Sequence, residues 1–272
     1  MNSLNSIELA RQIRINSVKM VACSNSSHIG SSLSIADILA VLYTDVLHIN
    51  PQKPNWVERD RFILSKGHAA ASLYAVLSLR GFFPLSWLEQ YGRKGSLLLG
   101  HVSHHVPGVE LSTGSLGHGL PIGCGLALAG KCDNRPYRVF VILSDGECDE
   151  GSNWEAALFA AHHKLDNLTA IIDANKLQGF GRVNDVLNLE PFAEKWAAFN
   201  WAVREVDGHD HSALQQLLHA VPFRADHPNL IIAHTIKGKG VSYMEDRLSW
   251  HYKSPNTEQL ELAMQELVEA KS

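Results

Sequence analysis

Only four cysteines occur in 272 residues, and none belongs to a CxxC pair. Cys23, Cys124, Cys132 and Cys148 are too scattered for a disulfide framework or a structural zinc site, so reduced thiols and a cytoplasmic protein are expected. No apolar run approaches the ~18 residues that a membrane-crossing helix needs. The opening segment MNSLNSIELARQIRINSVKM carries apolar side chains at helical spacing in place of the short apolar core of a signal peptide. No basic cluster stands out either: 24 Lys and Arg face 28 Asp and Glu, for a net charge of -4. Such a surface attracts neither a phosphate backbone nor an anionic membrane, so no nucleic acid and no membrane are expected as partners. Repeats, low-complexity tracts and linkers are missing as well. What remains is one globular domain over residues 1–272, in which a hydrophobic fraction of 45% suffices for a substantial core.

Apolar runs alternate with helical patterns along the chain. Helices are predicted over residues 6–22 and 34–47, the second opened by a capping box of Ser34 and Asp37. RFILS (61–65) reads as a strand and residues 69–79 as an Ala-rich helix. A Gly-rich middle leads to the strand YRVFVILS (137–144), a helix over 153–163 and the strand LTAIIDA (168–174). WAVREVD (201–207) and NLIIAHTI (229–236) follow as strands, with the helix HSALQQLLHAV between them. This alternation implies an α/β fold, a parallel sheet with helices on both faces.

Ligands of such sheets sit beyond the carboxyl ends of the strands, and Asp145 and Asn175 each follow one. Adjacent strands would bring the two together. A carboxylate, an amide and a nearby backbone carbonyl, taken as that of Leu177, are hard oxygen donors suited to Mg²⁺, or to Ca²⁺ or Mn²⁺, completed by water and a diphosphate. Gly146 would let its N–H approach a phosphate, and the helix beginning near Asn153 would add its positive end. Glu147, Asp149, Glu150 and Glu155 read as solvated or helix-N-terminal charges, with Glu155 able to support the metal from outside its ligand shell.

Asp, Gly and Asn are also ordinary turn residues, so three positions alone carry little weight. Other motifs fall away. GLALAGKC has Cys132 where a Walker sequence needs Ser or Thr and reads as helix; GHGLPIG falls short of GxGxxG; and the histidines of HVSHH (His101, His104, His105) sit in a loop with no carboxylate or thiol at ligand spacing.

Over more than thirty positions, SDGECDEGSNWEAALFAAHHKLDNLTAIIDANKLQGFG resembles the thiamine diphosphate motif of transketolases. SSHIGSSLSIADILAVLY, DRFILSKGHAAASLYAVL, PGVELSTGSLGHGLPIG, VDGHD and IKGKGVSYMEDRLSWHYKSPN are similar to transketolase segments in the same order. The chain is most similar to the N-terminal subunit of a split transketolase, with a thiamine diphosphate-binding fold. The resemblance implies transfer of a two-carbon ketol unit from a ketose or ketose phosphate to an aldose acceptor, with thiamine diphosphate and Mg²⁺ as cofactors. It implies cofactor contacts for His68 and His251 at the diphosphate, and for backbone at Gly114 and Leu116 against the aminopyrimidine. It implies sugar contacts for His28 and His101, with His28, His101 and His251 as catalytic residues and Asp145, Gly146 and Asn175 at the metal diphosphate. No segment resembles the pyrimidine-binding domain, so that domain and its activating Glu are expected on a separate C-terminal subunit, in an α2β2 heterotetramer.

Two departures from the family pattern are Ser144 for its first Gly and Ala174 before Asn175. Ser144 is compatible with the site if its φ is negative. Two other readings stay open: the α subunit of a 2-oxoacid dehydrogenase, and a noncatalytic relative that kept the fold.

Overall fold

The computed structural model describes residues 4–269. Its main sheet has the strands β1 (Arg61–Leu64), β2 (Val139–Ser144) and β3 (Leu168–Ala174). After a small antiparallel hairpin, β4 (Leu177–Gln178) and β5 (Gly181–Arg182), come β6 (Ala202–Asp207) and β7 (Asn229–His234). The sheet order is β1-β2-β3-β7-β6 and every pairing in it is parallel.

Side chains alternate across this sheet and divide the core in two. Phe62, Leu64, Phe140, Ile142, Ile171 and Ile231 face one layer, built from α1 (Ser6–Ser24), α2 (Ile29–Ser34), α3 (Ala36–Val41), α4 (Ala70–Leu79) and the amphipathic helices near the C-terminal side of the chain. Ile63, Val139, Val141, Leu143, Ala170 and Ile172 face the other, with α5 (Gly119–Cys132) and α6 (Gly151–His162) against them. The remaining helices are α7 (Val183–Val186), α8 (Phe192–Ala198), α9 (His211–His219) and α10 (Thr257–Glu269). β2 and β3 are buried along their whole length, which explains their unbroken apolar sequence. β6 closes one edge and stays partly exposed. Among the described residues no helix is long and apolar enough to cross a membrane.

One expected element differs. The predicted helix over 34–47 forms from Ala36 to Val46, as α3 closed by a wider turn, Leu42–Val46, but its start is interrupted at Ile35, and the unpredicted α2 precedes it and ends at Ser34. The capping box does not form because tertiary partners claim both of its side chains. Ser34 Oγ donates to Ser31 O (3.1 Å) and to Asp173 Oδ2 (2.7 Å). Asp37 is buried and binds Arg14 through both of its oxygens, His209 Nδ1 (2.6 Å) and His211 Nε2 (3.0 Å). Burial raises the Asp37 pKa, but Arg14 and the two imidazoles outweigh it and hold the carboxyl well below its ordinary range.

Candidate functional site

β2 and β3 are neighbours, with Ser144 paired to Asp173, so the turns after them emerge side by side. Asp145 and Asn175 both lie there, buried, and both line a cavity of about 270 Å³ with Gly146 and Leu177. Asp145 Oδ1 accepts from Gly146 N–H (2.8 Å) and Oδ2 from Lys176 N–H (2.6 Å). Asn175 donates to Asp173 Oδ2 (2.7 Å) and accepts Leu177 N–H at Oδ1 (3.1 Å), while Leu177 O accepts from Lys237 Nζ (2.9 Å). The three oxygen donors are therefore together and held by neighbouring N–H groups. The N–H of Gly146 is turned to its own neighbour's carboxylate, and a 3-10 turn, Gly146–Asp149, separates Asp145 from α6. Gly146 is required for space, since a Cβ there would lie 2.8 Å from Gln178 Cβ.

The electrostatics match the donor set. Burial, reinforced by the Asp173 charge, pushes the Asp145 carboxyl up to about 7. A buried carboxylate whose ionised form is opposed by desolvation and by a second carboxylate is a group that a divalent cation would stabilise in that form. Among the described residues no three His, Cys, Asp or Glu side chains converge as metal ligands, so this carboxylate, an amide and a carbonyl are the donors available.

The four singled-out histidines meet above this floor. The His28 ring lies 5.1 Å from that of His68, 5.8 Å from His101 and 5.0 Å from His251, centroid to centroid. His28 caps α2 in a left-handed conformation (φ 72) and is held by its N–H donating to His251 O (2.9 Å). Burial and then nearby cations depress these groups, His28 to about 4, His251 to about 3 and His68 well below its ordinary value. These three are therefore neutral imidazoles at neutral pH. Lys237 Nζ donates to His251 Nδ1 (2.9 Å), which leaves the proton of that ring on Nε2.

The loop carrying Gly114 and Leu116 forms another wall. Thr113 Oγ1 donates to Leu64 O (2.6 Å) and Gly117 N–H to Glu147 Oε1 (2.9 Å). His101 packs on Gly114, its Cδ2 3.4 Å from where a Cβ would stand. Ser144 keeps extended strand backbone, so the position demands no glycine, and its Oγ accepts from Glu147 N–H (3.2 Å).

Two assignments from the acidic turn are corrected. Glu155 is exposed on α6 and supports nothing in the cavity. Glu147 is not solvated: it is fully buried, accepts from Ser65 Oγ (2.5 Å), Gly117 N and Ser144 N, and ties three walls of the site together. Burial raises its pKa. Sequence reasoning also passed over Lys66, Asp173 and Lys237. Lys66 and Asp173 form an ion pair with no exposure (2.5 Å) directly beneath the cavity. Lys237 is buried in its wall, its pKa lowered to about 8 by desolvation and then by Lys66. An acid within LTAIIDA and the two lysines beside glycines were the available signals.

His104 and His105 stand away from this cluster, stacked on each other (4.1 Å), with His104 bonded to Ser112. A second cavity, about 350 Å³, lies on the far side of Asp145 between Lys176, Arg182 and Phe192, without any of the four histidines.

Comparison with known proteins accounts for this arrangement. Residues 6–267 match the family "Transketolase, thiamine diphosphate binding domain". The chain is 42% identical to one subunit of the apulose-4-phosphate transketolase of Phocaeicola vulgatus, over 93% of this chain and 90% of that one. It is 39% identical to the 6-deoxy-6-sulfo-D-fructose transketolase subunit SqwG of Clostridium sp. (strain MSTE9), over 95% and 94%. The solved transketolase of Campylobacter jejuni superposes with a TM-score of 0.92 at 33% identity, over 98% of this chain but 43% of that one, so the chain spans less than half of that enzyme. By sequence and by fold, the chain belongs to the transketolase family and carries its thiamine diphosphate-binding domain.

Proposed function

We propose that this chain is a single-domain subunit that holds Mg²⁺ and thiamine diphosphate for a two-chain transketolase. The observation that carries the reading is the meeting of Asp145, Asn175 and the Leu177 carbonyl with four histidines in one cavity at the carboxyl end of a parallel sheet. Asp145, Asn175 and Leu177 O would ligate the metal, with Gly146 beside the diphosphate. His68 and His251 would bond the diphosphate, and Lys237 would add positive charge to it. The backbone at Gly114 and Leu116 would face the aminopyrimidine. When bound, thiamine diphosphate supplies the electron sink for breaking the bond beside a ketose carbonyl.

His28 and His101 are assigned to the sugar hydroxyls. A neutral His28, its pKa lowered to about 4, would hold a sugar hydroxyl by accepting or donating a hydrogen bond at neutral pH. The substrates are a ketose or ketose phosphate donor and an aldose acceptor, and the relatives named for apulose 4-phosphate and 6-deoxy-6-sulfo-D-fructose favour specialised sugars. A partner subunit would contribute the pyrimidine domain and its activating Glu, with two copies of each chain, in the cytoplasm, where the four free thiols stay reduced. Relatives of matching length are themselves named as transketolase subunits, which supports the division between chains. A 2-oxoacid dehydrogenase is not favoured, and the unstrained Ser144 removes the ground for a noncatalytic relative.

The test is calorimetric titration of thiamine diphosphate with Mg²⁺ into the wild type and Asp145→Ala. The variant removes the only charged ligand, and affinity should fall at least ~10-fold, since a hard divalent cation depends on carboxylate oxygen. Equal affinity overturns the metal assignment. Ketol transfer by the purified chain alone, at the rate of the mixture with its partner, overturns the division of labour.

A further inference from the structure

Two exposed aromatic side chains stand at the mouth of the histidine-lined cavity: Phe180, at the tip of the β4–β5 hairpin, is 85% exposed and Tyr252 is 58% exposed. The Tyr252 ring lies 4.7 Å from the ring of His251, inclined at 64°. Its hydroxyl has no protein hydrogen-bond partner among the described residues and rests over Gly179. A Cβ on Gly179 would stand 2.5 Å from Tyr252 Oη and 3.5 Å from His251 Nε2. The hairpin thus has a notch into which the phenol fits, and any side chain at position 179 would expel it.

Among the residues that line the cavity no lysine or arginine is left free. The cation that lines the cavity, Lys237, is buried and already bonded to Leu177 O and His251 Nδ1, and the Gln178 amide is bonded to Asp149 (3.1 Å). What remains is ring face and a hydroxyl. Such a surface suits the hydroxylated, uncharged carbon chain of a sugar: C–H groups pack on the ring and one hydroxyl bonds to Oη.

We infer that Tyr252 selects the substrate, its ring and hydroxyl contacting the sugar carbons beyond those held by His28 and His101, with Gly179 keeping the notch open. This rests on the two-chain transketolase reading above. An exposed ring at a site mouth contributes little to folding, so its removal isolates the substrate effect.

The experiment is steady-state ketol transfer by the assembled two-chain enzyme, with fructose, fructose 6-phosphate, xylulose 5-phosphate and sedoheptulose 7-phosphate as donors. Wild type is compared with Tyr252→Phe, Tyr252→Gly and Gly179→Ala. Tyr252→Gly should lower kcat/KM for the best donor about 10-fold, mostly through KM, and change the ranking of the panel, while the Kd for Mg²⁺ and thiamine diphosphate stays within about twofold. Tyr252→Phe should lose about 3- to 10-fold, the value of one hydrogen bond. Gly179→Ala should follow Tyr252→Gly. Unchanged relative kcat/KM values in Tyr252→Gly overturn the inference, as does cofactor Kd rising in step with KM. The panel also includes apulose 4-phosphate and 6-deoxy-6-sulfo-D-fructose; if the wild-type pair transfers from none of the donors, the transketolase reading fails and takes the inference with it, an outcome visible before any variant is compared.

Discussion

Removing Asp173 should cost more than removing any exposed acid of this chain. Its carboxylate has no exposure and accepts from Lys66 Nζ (2.5 Å), Ser34 Oγ (2.7 Å), Asn175 Nδ2 (2.7 Å) and Thr235 Oγ1. Lys66 has only one other acceptor, Ser31 O (3.0 Å). Asp173→Ala therefore leaves a buried ammonium without its counter-charge and strands the Asn175 and Thr235 donors, while Ser34 Oγ keeps Ser31 O (3.1 Å). An uncompensated buried charge costs about 3–5 kcal/mol, and at roughly 2–4 °C per kcal/mol for a chain approaching this size the melting temperature should fall by about 6–20 °C. Lys66→Met leaves the opposite charge unpaired and should cost a similar amount. Lys66→Met combined with Asp173→Ala buries neither charge, so the double variant should recover at least about 2 kcal/mol relative to the sum of the single losses. Urea titrations followed by circular dichroism give all four free energies. A loss under about 1 kcal/mol for Asp173→Ala, or strict additivity in the double variant, would refute the uncompensated-charge account.

The same site sets how stability responds to pH and to added bulk. His28, His68 and His251 have folded pKa values below the ordinary 6.5, so between those values the unfolded chain binds more protons. The histidines' share of the stability should be fully present above about pH 6.5 and fall as pH drops towards 4 and 3, by roughly 1 kcal/mol each for His28 and His251 between pH 7 and 5 after halving for solvent screening, while Asp145, raised to about 7, gains stability over the same interval and offsets it. Urea midpoints at pH 7.5, 6 and 5 should therefore fall more steeply with acid in Asp145→Asn than in wild type, and equal profiles reject this. Gly67→Ala should destabilise by about 1–3 kcal/mol through overpacking, because its Cβ would stand 2.3 Å from the backbone oxygen of Thr113. The same variant should weaken thiamine diphosphate binding in calorimetry, since Thr113 precedes Gly114.

The strands of this fold were legible because burial on both faces leaves an unambiguous mark. VFVILS and LTAIIDA have no polar face to confuse with a helix, and their ends fell within two residues of the predicted ones. The segment from Ile29 to Val46 was not legible in the same way. The predicted helix begins at Ser34, since a Ser followed three residues later by Asp is an ordinary helix start, whereas the chain has a short helix ahead of it and an interruption at Ile35. What breaks it is remote in sequence: Ser34 is drawn to Asp173, 139 residues away, and Asp37 to Arg14, His209 and His211. Local propensity cannot register competition from such partners.

The candidate site divides along the same line. Asp145 and Asn175 could be placed together from the sequence because strand, helix and strand in that order force adjacency in a parallel sheet. Glu147 could not, because an acid two residues after Asp145 looks like any solvated turn residue; only the folded chain brings Ser65 and Gly117 to it, from segments 82 and 30 residues away. Lys66 and Lys237 were hidden for a related reason. A lysine is presumed solvated unless a charge is found for it, and the compensating group for Lys66, Asp173, lies inside an apolar strand where its side chain reads as an interruption. The histidines were found through motif context, yet their common neutrality was not, because it comes from burial beside Lys66 and Lys237. Burial first, and the buried lysines after it, thus keep the histidines uncharged, and with Lys66 paired to Asp173 the positive charge of the cavity wall is left on Lys237, where a diphosphate would need it.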